Sequence, residues 1–182
     1  MRVITGTCRG KKLKTLETLD TRPTTDMVKE AIFSAIQFDV PGASVLDLFS
    51  GSGQLGIEAL SRGAAHCVFV DKNPSAVAVI KENVQSCNMN GVSRILNMDS
   101  IDYLKVAKSG LDIALLDPPY NNGLIEKALP ALEEKMNDGA VVVCEHEKEL
   151  VLDDNYGRLE KYKNYKYGKI AVTIYKIPAK EE

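Results

Sequence analysis

LLDPPY, residues 115–120, ends an apolar run with a carboxylate, two prolines and an aromatic ring. Consecutive prolines stiffen the chain and remove two backbone donors, leaving carbonyls free to accept. An exocyclic amine on a nucleobase is a poor nucleophile because its lone pair is delocalised into the ring. Asp117 and the Pro118 carbonyl, each accepting an N–H, can localise that pair while Pro119 stiffens the turn and Tyr120 stacks on the base. The residue types therefore suit methyl transfer to an aromatic amine, with Asp117, Pro118, Pro119 and Tyr120 as candidate catalytic residues. A Pro-Pro turn closing a strand is the plain alternative, and it weakens beside the glycine-rich stretch upstream.

That stretch is VLDLFSGSGQLGIEAL, residues 45–60. Gly51, Gly53 and Gly56 have the G-x-G-x-x-G spacing, and Asp71 lies about 20 residues past the first glycine, where a dinucleotide site places its ribose-binding acid. The same turn also suits S-adenosylmethionine. The acids decide between them. Ligands of open α/β sheets bind beyond the carboxyl ends of the strands, and this chain has four acids in such places: Asp47, Asp71, Asp99 and Asp117. A nicotinamide dinucleotide explains Asp71 alone. S-adenosylmethionine gives Asp71 two ribose hydroxyls, Asp99 an adenine amine and Asp47 a cationic end. Gly51 and Gly53 allow close backbone approach, and the following helix start receives a carboxylate. Phe49 and Ser52 in the first turn, Lys72 and Asn73 after the second strand, and Ser100 after Asp99 complete the candidate cofactor edge.

The elements that must position these residues follow from hydrophobic pattern. SVLDL, CVFVD, RILNM, DIALLD and AVVVCE are continuous enough to be parallel strands covered on both faces. Helices are expected near 54–62, 75–88, 100–107 and 122–135, with Asn73 and Pro74 as N-cap and first residue of the second. RLEKYKNY and GKIAVTIYKI, joined near Tyr167 and Gly168, predict an antiparallel hairpin closing the sheet. Five parallel strands with a terminal hairpin is the Rossmann-like α/β layout of class I S-adenosylmethionine-dependent methyltransferases. Ahead of it, a helix is predicted from Thr24 or Thr25 to about Phe38. RVITGTCRGKKLKTL reads as a small β-hairpin too short for a core of its own. The expected organisation is a basic hairpin extension over 1–22, the catalytic domain over 23–178 and a tail over 179–182.

A chain of 182 residues has the length of one domain, which leaves a two-domain dehydrogenase cramped. No apolar run approaches a membrane span and no signal-peptide pattern opens the chain, so a cytoplasmic protein without a membrane partner is expected. The four cysteines and two histidines lack the spacing of a zinc site. Cys67 and Cys144, inside apolar runs, read as reduced core residues, and His66 and His146 as packing or loop residues. Net charge is −2, but Arg2, Arg9, Lys11, Lys12 and Lys14 face no acid within the first 14 residues. This N-terminal cluster is the candidate RNA grip, a solubilising edge hairpin its plain alternative. The segment from Tyr156 to Tyr167, where tyrosines alternate with Arg158, Lys161, Lys163 and Lys166, is the competing surface.

Together VITGTCRGKKLK, TRPTTDMVKEAIFSAI, LDLFSGSGQLGIEALSRGA and LLDPPY, in that order, closely resemble the RsmD family of bacterial methyltransferases. The resemblance runs from about Arg2 to Lys176, with Tyr120 where relatives usually carry phenylalanine. It implies methylation of the N2 amine of one guanine in 16S ribosomal RNA, near the P-site face of the small-subunit head, in an assembled or partly assembled particle. It places Arg22, Thr24 and Thr25 beside the active site, with Arg22 suited to a phosphate or carboxylate, and a monomer is the expected state. The readings left beside it are a different DNA or RNA amino-methyltransferase and an idle RNA-binding module. The related protein-glutamine methyltransferases place asparagine where this chain has Asp117.

Overall fold

A computed structural model of the chain describes residues 1–16, 25–120 and 122–180. Eight strands form one sheet in the order β3-β2-β1-β4-β5-β8-β7-β6. The parallel half consists of β1 (Ser44–Asp47), β2 (His66–Asp71), β3 (Ser93–Asn97), β4 (Leu111–Leu116) and β5 (Met136–Glu147). Reversal of strand order at β1 and β4 places the ends carrying Asp47 and Asp117 side by side, at the switch point where open sheets take ligands. The other half is antiparallel: β8 (Ile170–Lys176) lies between β5 and β7 (Leu159–Tyr167), and the short β6 (Asn155–Tyr156) forms the edge.

Helices cover both faces and divide the core in two. α1 (Asp26–Ala35), α2 (Gln54–Ser61) and α3 (Pro74–Ser86) pack on one face with Val45, Phe69, Ile113 and Val143. On the other, α4 (Ser100–Val106) and α5 (Leu124–Glu133) pack with Leu46, Val70, Ala114 and Val142. Alternation of neighbouring strand residues between these sets is the signature of a sheet buried on both sides. Cys67 and Cys144 are buried free thiols within it. His146 is also buried, its ring held between the Glu147 carbonyl and Thr173 Oγ1.

Two elements differ from expectation. α1 ends at Ala35, because the chain turns through an Asp39 N–H to Ile36 carbonyl bond to bring Val40 inside, leaving Phe38 90% exposed. β5 extends beyond 140–145 at both ends, since Met136 pairs with Leu111 and Glu147 with Ile170. The N-terminal hairpin is short: around the Arg2–Lys12 bridge, N–H to carbonyl bonds run from Val3 to Lys11, Gly10 to Val3 and Leu13 to Met1. Its Val3 and Leu13 are buried in the α1–α3 core, and the N–H groups of Ile4, Thr5, Thr7 and Cys8 find partners on α2.

Those partners are polar and buried. Glu58 on α2, 0% exposed, accepts the N–H groups of Ile4 at 2.8 Å and Thr5 at 3.0 Å and the Arg62 Nε–H at 2.8 Å. Lys29 on α1, equally buried, lies 3.8 Å from the Glu58 carboxylate and donates to the Arg2 carbonyl. Burial pushes the Lys29 ammonium below its usual value, and Glu58 pulls it back up. Beside them Gly6 approaches Ser61 so closely that a Cβ would stand 1.7 Å from the Ser61 carbonyl oxygen, at a φ of +86°.

Removing the carboxylate leaves a buried ammonium and two main-chain donors without their acceptor. Glu58→Ala should therefore destabilise the protein by about 3–5 kcal/mol, read as a lower urea midpoint at unchanged slope. A loss under about 1 kcal/mol would show that the cluster does not hold the N-terminal segment.

Candidate active site

The glycine turn between β1 and α2 is held by side chains from β1 and β2. Gly51 and Gly53 take positive φ, +54° and +78°, which a residue with a Cβ adopts only under strain. Ser50 is buried, donates to the Asp47 and Val70 carbonyls and accepts the Val70 N–H, locking the ends of β1 and β2 together. Asp71 accepts the Gly51 N–H on Oδ2 and the Asn73 N–H on Oδ1, each at 2.8 Å. Gly56 serves packing: a Cβ there would meet the Phe69 ring at 2.4 Å.

Asp47 is 1% exposed, and its Oδ2 accepts the Gly56 N–H at 3.0 Å, filling the first turn of α2, whose N-cap Gly53 has no side chain. Burial first, and Asp71 nearby, push its carboxyl up to about 7, against the lowering effect of the Gly56 bond. Asp47 thus anchors the turn as well as lining the site.

Asp47, Phe49, Ser50, Gly51, Ser52, Gln54, Leu55 and Asp117 surround a cavity of about 90 Å³, with Met1, Thr15 and Leu16 forming its N-terminal wall. The strand order thus brings the glycine turn and LLDPPY to one space. Among the described residues, none beyond Gly51's own chain neighbours lies within 4 Å of where a Gly51 Cβ would stand, so the turn offers an open cradle beside that space. After Asp117, Pro118 is buried while Pro119 and Tyr120 are exposed. Asn122 donates to the Tyr120 carbonyl at 2.9 Å and the Pro119 carbonyl at 3.4 Å, bracing the turn.

The remaining predicted cofactor residues lie along the same strand ends, several with backbone duties. Asn73 caps α3 by accepting the Ser75 N–H, and Lys72 is exposed beside it. Asp99 caps α4 through Oδ1, which accepts from Ile101 and Asp102. Ser100 is buried and donates its hydroxyl to the Leu48 carbonyl, so its side chain ties α4 to the end of β1.

Among the basic residues, Arg2 pairs with Asp26 and Lys14 with Glu82. Arg9, Lys11 and Lys12 are exposed. On the competing segment Arg158 is tied to Glu133 and Asp138, and Lys161 to Asp154, while Lys163 and Lys176 lie over the Tyr162 ring. Thr25 is the N-cap of α1, its hydroxyl accepting the Val28 N–H, whereas Arg22 and Thr24 lie outside the described residues.

Sequence reasoning missed Asn83. On the buried side of α3, it accepts the Lys14 N–H and donates to the Lys14 and Ser52 carbonyls. One amide thereby clamps the N-terminal wall to the glycine turn. An asparagine on an apolar helix stripe, beside Ile80 and Val84, was the available signal.

This sheet order, with a glycine turn and an acid-lined edge at the switch point, defines a class I S-adenosylmethionine-dependent methyltransferase fold. Residues 1–176 match the family model described as conserved hypothetical protein 95, and the chain belongs to this family, the RsmD family. It is 38% identical to YlbH of Bacillus subtilis, with 97% of this chain and 98% of that one covered. It is 34% identical to the Haemophilus influenzae ribosomal RNA small subunit methyltransferase D, with 88% and 86% covered. The solved Escherichia coli yhhF chain superposes with a TM-score of 0.88 at 31% identity, covering 99% of each.

The raised proton affinity of Asp47 has a sign that can be checked. Between the ordinary aspartate value of 3.8 and about 7, the folded state holds a proton that the unfolded chain has released, so stability falls as pH rises through that window. Asp47→Asn keeps an acceptor for Gly56 and removes the ionisation. Its melting temperature without ligand should exceed the parent's above pH 7, and the gap should close toward pH 4. A gap independent of pH would disprove the assignment.

Proposed function

We propose that this protein is an rRNA methyltransferase that moves a methyl group from S-adenosylmethionine to the exocyclic N2 amine of a guanine in 16S ribosomal RNA. In this reading it acts as a cytoplasmic monomer on a small ribosomal subunit or an assembly intermediate. The observation that carries it is the shared cavity: Asp117 of the DPPY turn and the Asp47–Gly51–Ser52 turn line one space at the sheet's switch point. The names of similar proteins support the substrate class.

The residues fit the cofactor. The open cradle at Gly51 accommodates a group in close contact with backbone, and Asp47 and Asp117 supply acceptors for a cationic head. Asp71 keeps lone pairs on both carboxylate oxygens for ribose hydroxyls while its present bonds hold the turn. Asp99 and its neighbours suit the adenine end. When bound, the cofactor supplies an electrophilic methyl with its own leaving group, so the protein's task is placement. Asp117 and the Pro118 carbonyl accept the two N–H bonds of the guanine amine and turn its lone pair toward the methyl. Tyr120, 37% exposed, stacks on the base. Arg9, Lys11 and Lys12 grip phosphates. They extend from the segment whose Met1, Thr15 and Leu16 wall the cavity, which favours this end over the β6–β7 surface.

The direct test is to map methylated guanines in small-subunit RNA from cells with and without the gene. One N2-methylguanine should vanish in its absence, and purified protein should restore it to particles from those cells. An unchanged map would overturn the proposal. Asp117→Ala should abolish transfer with cofactor affinity held within a few fold, and Asp71→Ala should weaken cofactor binding by about 1–3 kcal/mol. Equal losses of affinity would reverse the roles.

Binding to RNA particles across a salt series tests the grip. Replacing Arg9, Lys11 and Lys12 with alanine should reduce the log–log slope by about one unit per lost phosphate contact, with cofactor affinity unchanged. An unaltered slope would move the surface elsewhere.

A further inference from the structure

The antiparallel half of the sheet overshoots the parallel half at the catalytic edge. β4 makes its last pairing with β5 at Leu116 and Cys144, immediately before Asp117. β5 continues for three further residues, and each heads a row across β8 to β7: Glu145–Val172–Tyr165, His146–Ala171–Lys166 and Glu147–Ile170–Tyr167. At about 3.3 Å per residue these rows form a ledge about 10 Å deep beyond the strand end that leads into Asp117. Its outer strand, β7, lies three strand spacings from β4, or about 14 Å.

Tyr165 and Tyr167 stand on that outer strand, and alternation along β7 puts both on the face packed by α1, α2 and α3. Each ring rests partly on that core and stays partly exposed. The ring centroids lie 6.3 Å apart at an interplanar angle of 31°. Lys163, Lys166 and Lys169 are exposed on the same hairpin and form no ion pair among the described residues, whereas Lys161 and Lys176 are tied to Asp154 and Asp39. Residues 159–176 carry five lysines against one acid, in a chain whose net charge is −2. β6 pairs with β7 only at Leu159 and Glu160, so the rest of β7 is a sheet edge. Lysines blunt such an edge by themselves. They do not account for two rings held partly in solvent at its catalytic end.

We infer that Tyr165 and Tyr167 are a stacking platform for unpaired RNA bases that flank the guanine at Asp117. The inference rests on the proposed rRNA substrate and adds a base contact to the phosphate grip of Arg9, Lys11 and Lys12. A guanine whose amine reaches Asp117 has left its stack, and its neighbours have lost a stacking partner. Two rings on the same edge of the sheet supply a new one. Rings already packed on the core give up little freedom when a base settles on them, and the free ammonium groups beside them attract the phosphates of the same strand. Stacking accepts any base, because every base has a π face. The platform therefore holds the strand open beside the site, and the choice of guanine stays with the groups at Asp117.

A double variant, Tyr165→Leu with Tyr167→Leu, removes both rings and keeps apolar contact with the core. Its control, Tyr165→Phe with Tyr167→Phe, keeps the rings. Binding is measured by fluorescence anisotropy on the full chain across a salt series with two probes: an oligoadenosine ribonucleotide about 12 nucleotides long and an abasic strand of equal length and charge. The wild-type protein should prefer the oligoadenosine strand. The leucine variant should bind that strand about tenfold more weakly with its salt slope unchanged, and the phenylalanine variant should stay within about twofold of wild type. Both should bind the abasic strand as wild type does, which also shows that they are folded, and each single leucine substitution should give an intermediate loss. Unchanged oligoadenosine binding by the leucine variant would make the rings packing residues of a lysine-guarded edge and overturn the inference. Equal losses with leucine and phenylalanine would assign the effect to the hydroxyls, and a loss shared by the abasic strand would assign it to the fold; either overturns the inference. If the wild-type protein restores N2-methylguanine to particles yet shows no preference for oligoadenosine, the inference falls and the proposed function stands. If it restores none, both fall.

Discussion

The Glu58 carboxylate organises much of this molecule. It is fully buried between the N-terminal segment, α1 and α2, and it gathers two main-chain N–H groups, a guanidinium and an ammonium. These donors come from three stretches of chain, the N-terminal segment, α1 and the end of α2. A buried charge is a poor source of net stability but a strong source of specificity when its partners are fixed, because every alternative packing leaves it unmatched. Here the specificity is positional. The contact seats the first residues on α2, and those residues wall the active-site cavity.

The site is built from side chains with double duties. Asp47 and Asp71 hold the glycine turn by accepting Gly56 and Gly51, yet they stand where a cationic, hydroxyl-bearing ligand is expected. Asn83 joins that turn to the N-terminal wall. The turn, the wall and the strand ends form one hydrogen-bonded unit. Such support fixes a binding geometry before any ligand enters, which is how a small domain places reacting groups.

Much of this was legible in the sequence, and the exceptions share a cause. Continuous apolar runs marked the parallel strands, Asn73–Pro74 marked the start of α3, and the Tyr167–Gly168 turn marked the final hairpin, because each signal is local. The LLDPPY and glycine turns were found by type and spacing, and the sheet brings them to one cavity. Glu58 and Asn83 escaped notice because their meaning is non-local: Ile4 lies 54 residues from its acceptor and Lys14 lies 69 from its own. Phe38 misled in the opposite way. Its apolar character extended the helical pattern past Ala35, but the turn that buries Val40 points it outward.

The place of β8 in the sheet bears on how the chain is made. This last strand is inserted between β5 and β7, and the stretch of β5 from Ala140 to His146 is buried in the finished protein, with Val141, Val142, Val143 and Cys144 each at most 1% exposed. During synthesis β5 emerges with β4 on one side and a bare edge on the other, and that edge waits for roughly thirty further residues, about two to six seconds at ordinary elongation rates. An unpaired apolar strand is a template for intermolecular pairing. The β7–β8 hairpin shortens that exposure, because its two strands meet across a tight turn at Gly168 and can dock as a preformed pair. Its late arrival makes the C-terminal hairpin a guard against aggregation as well as a part of the fold.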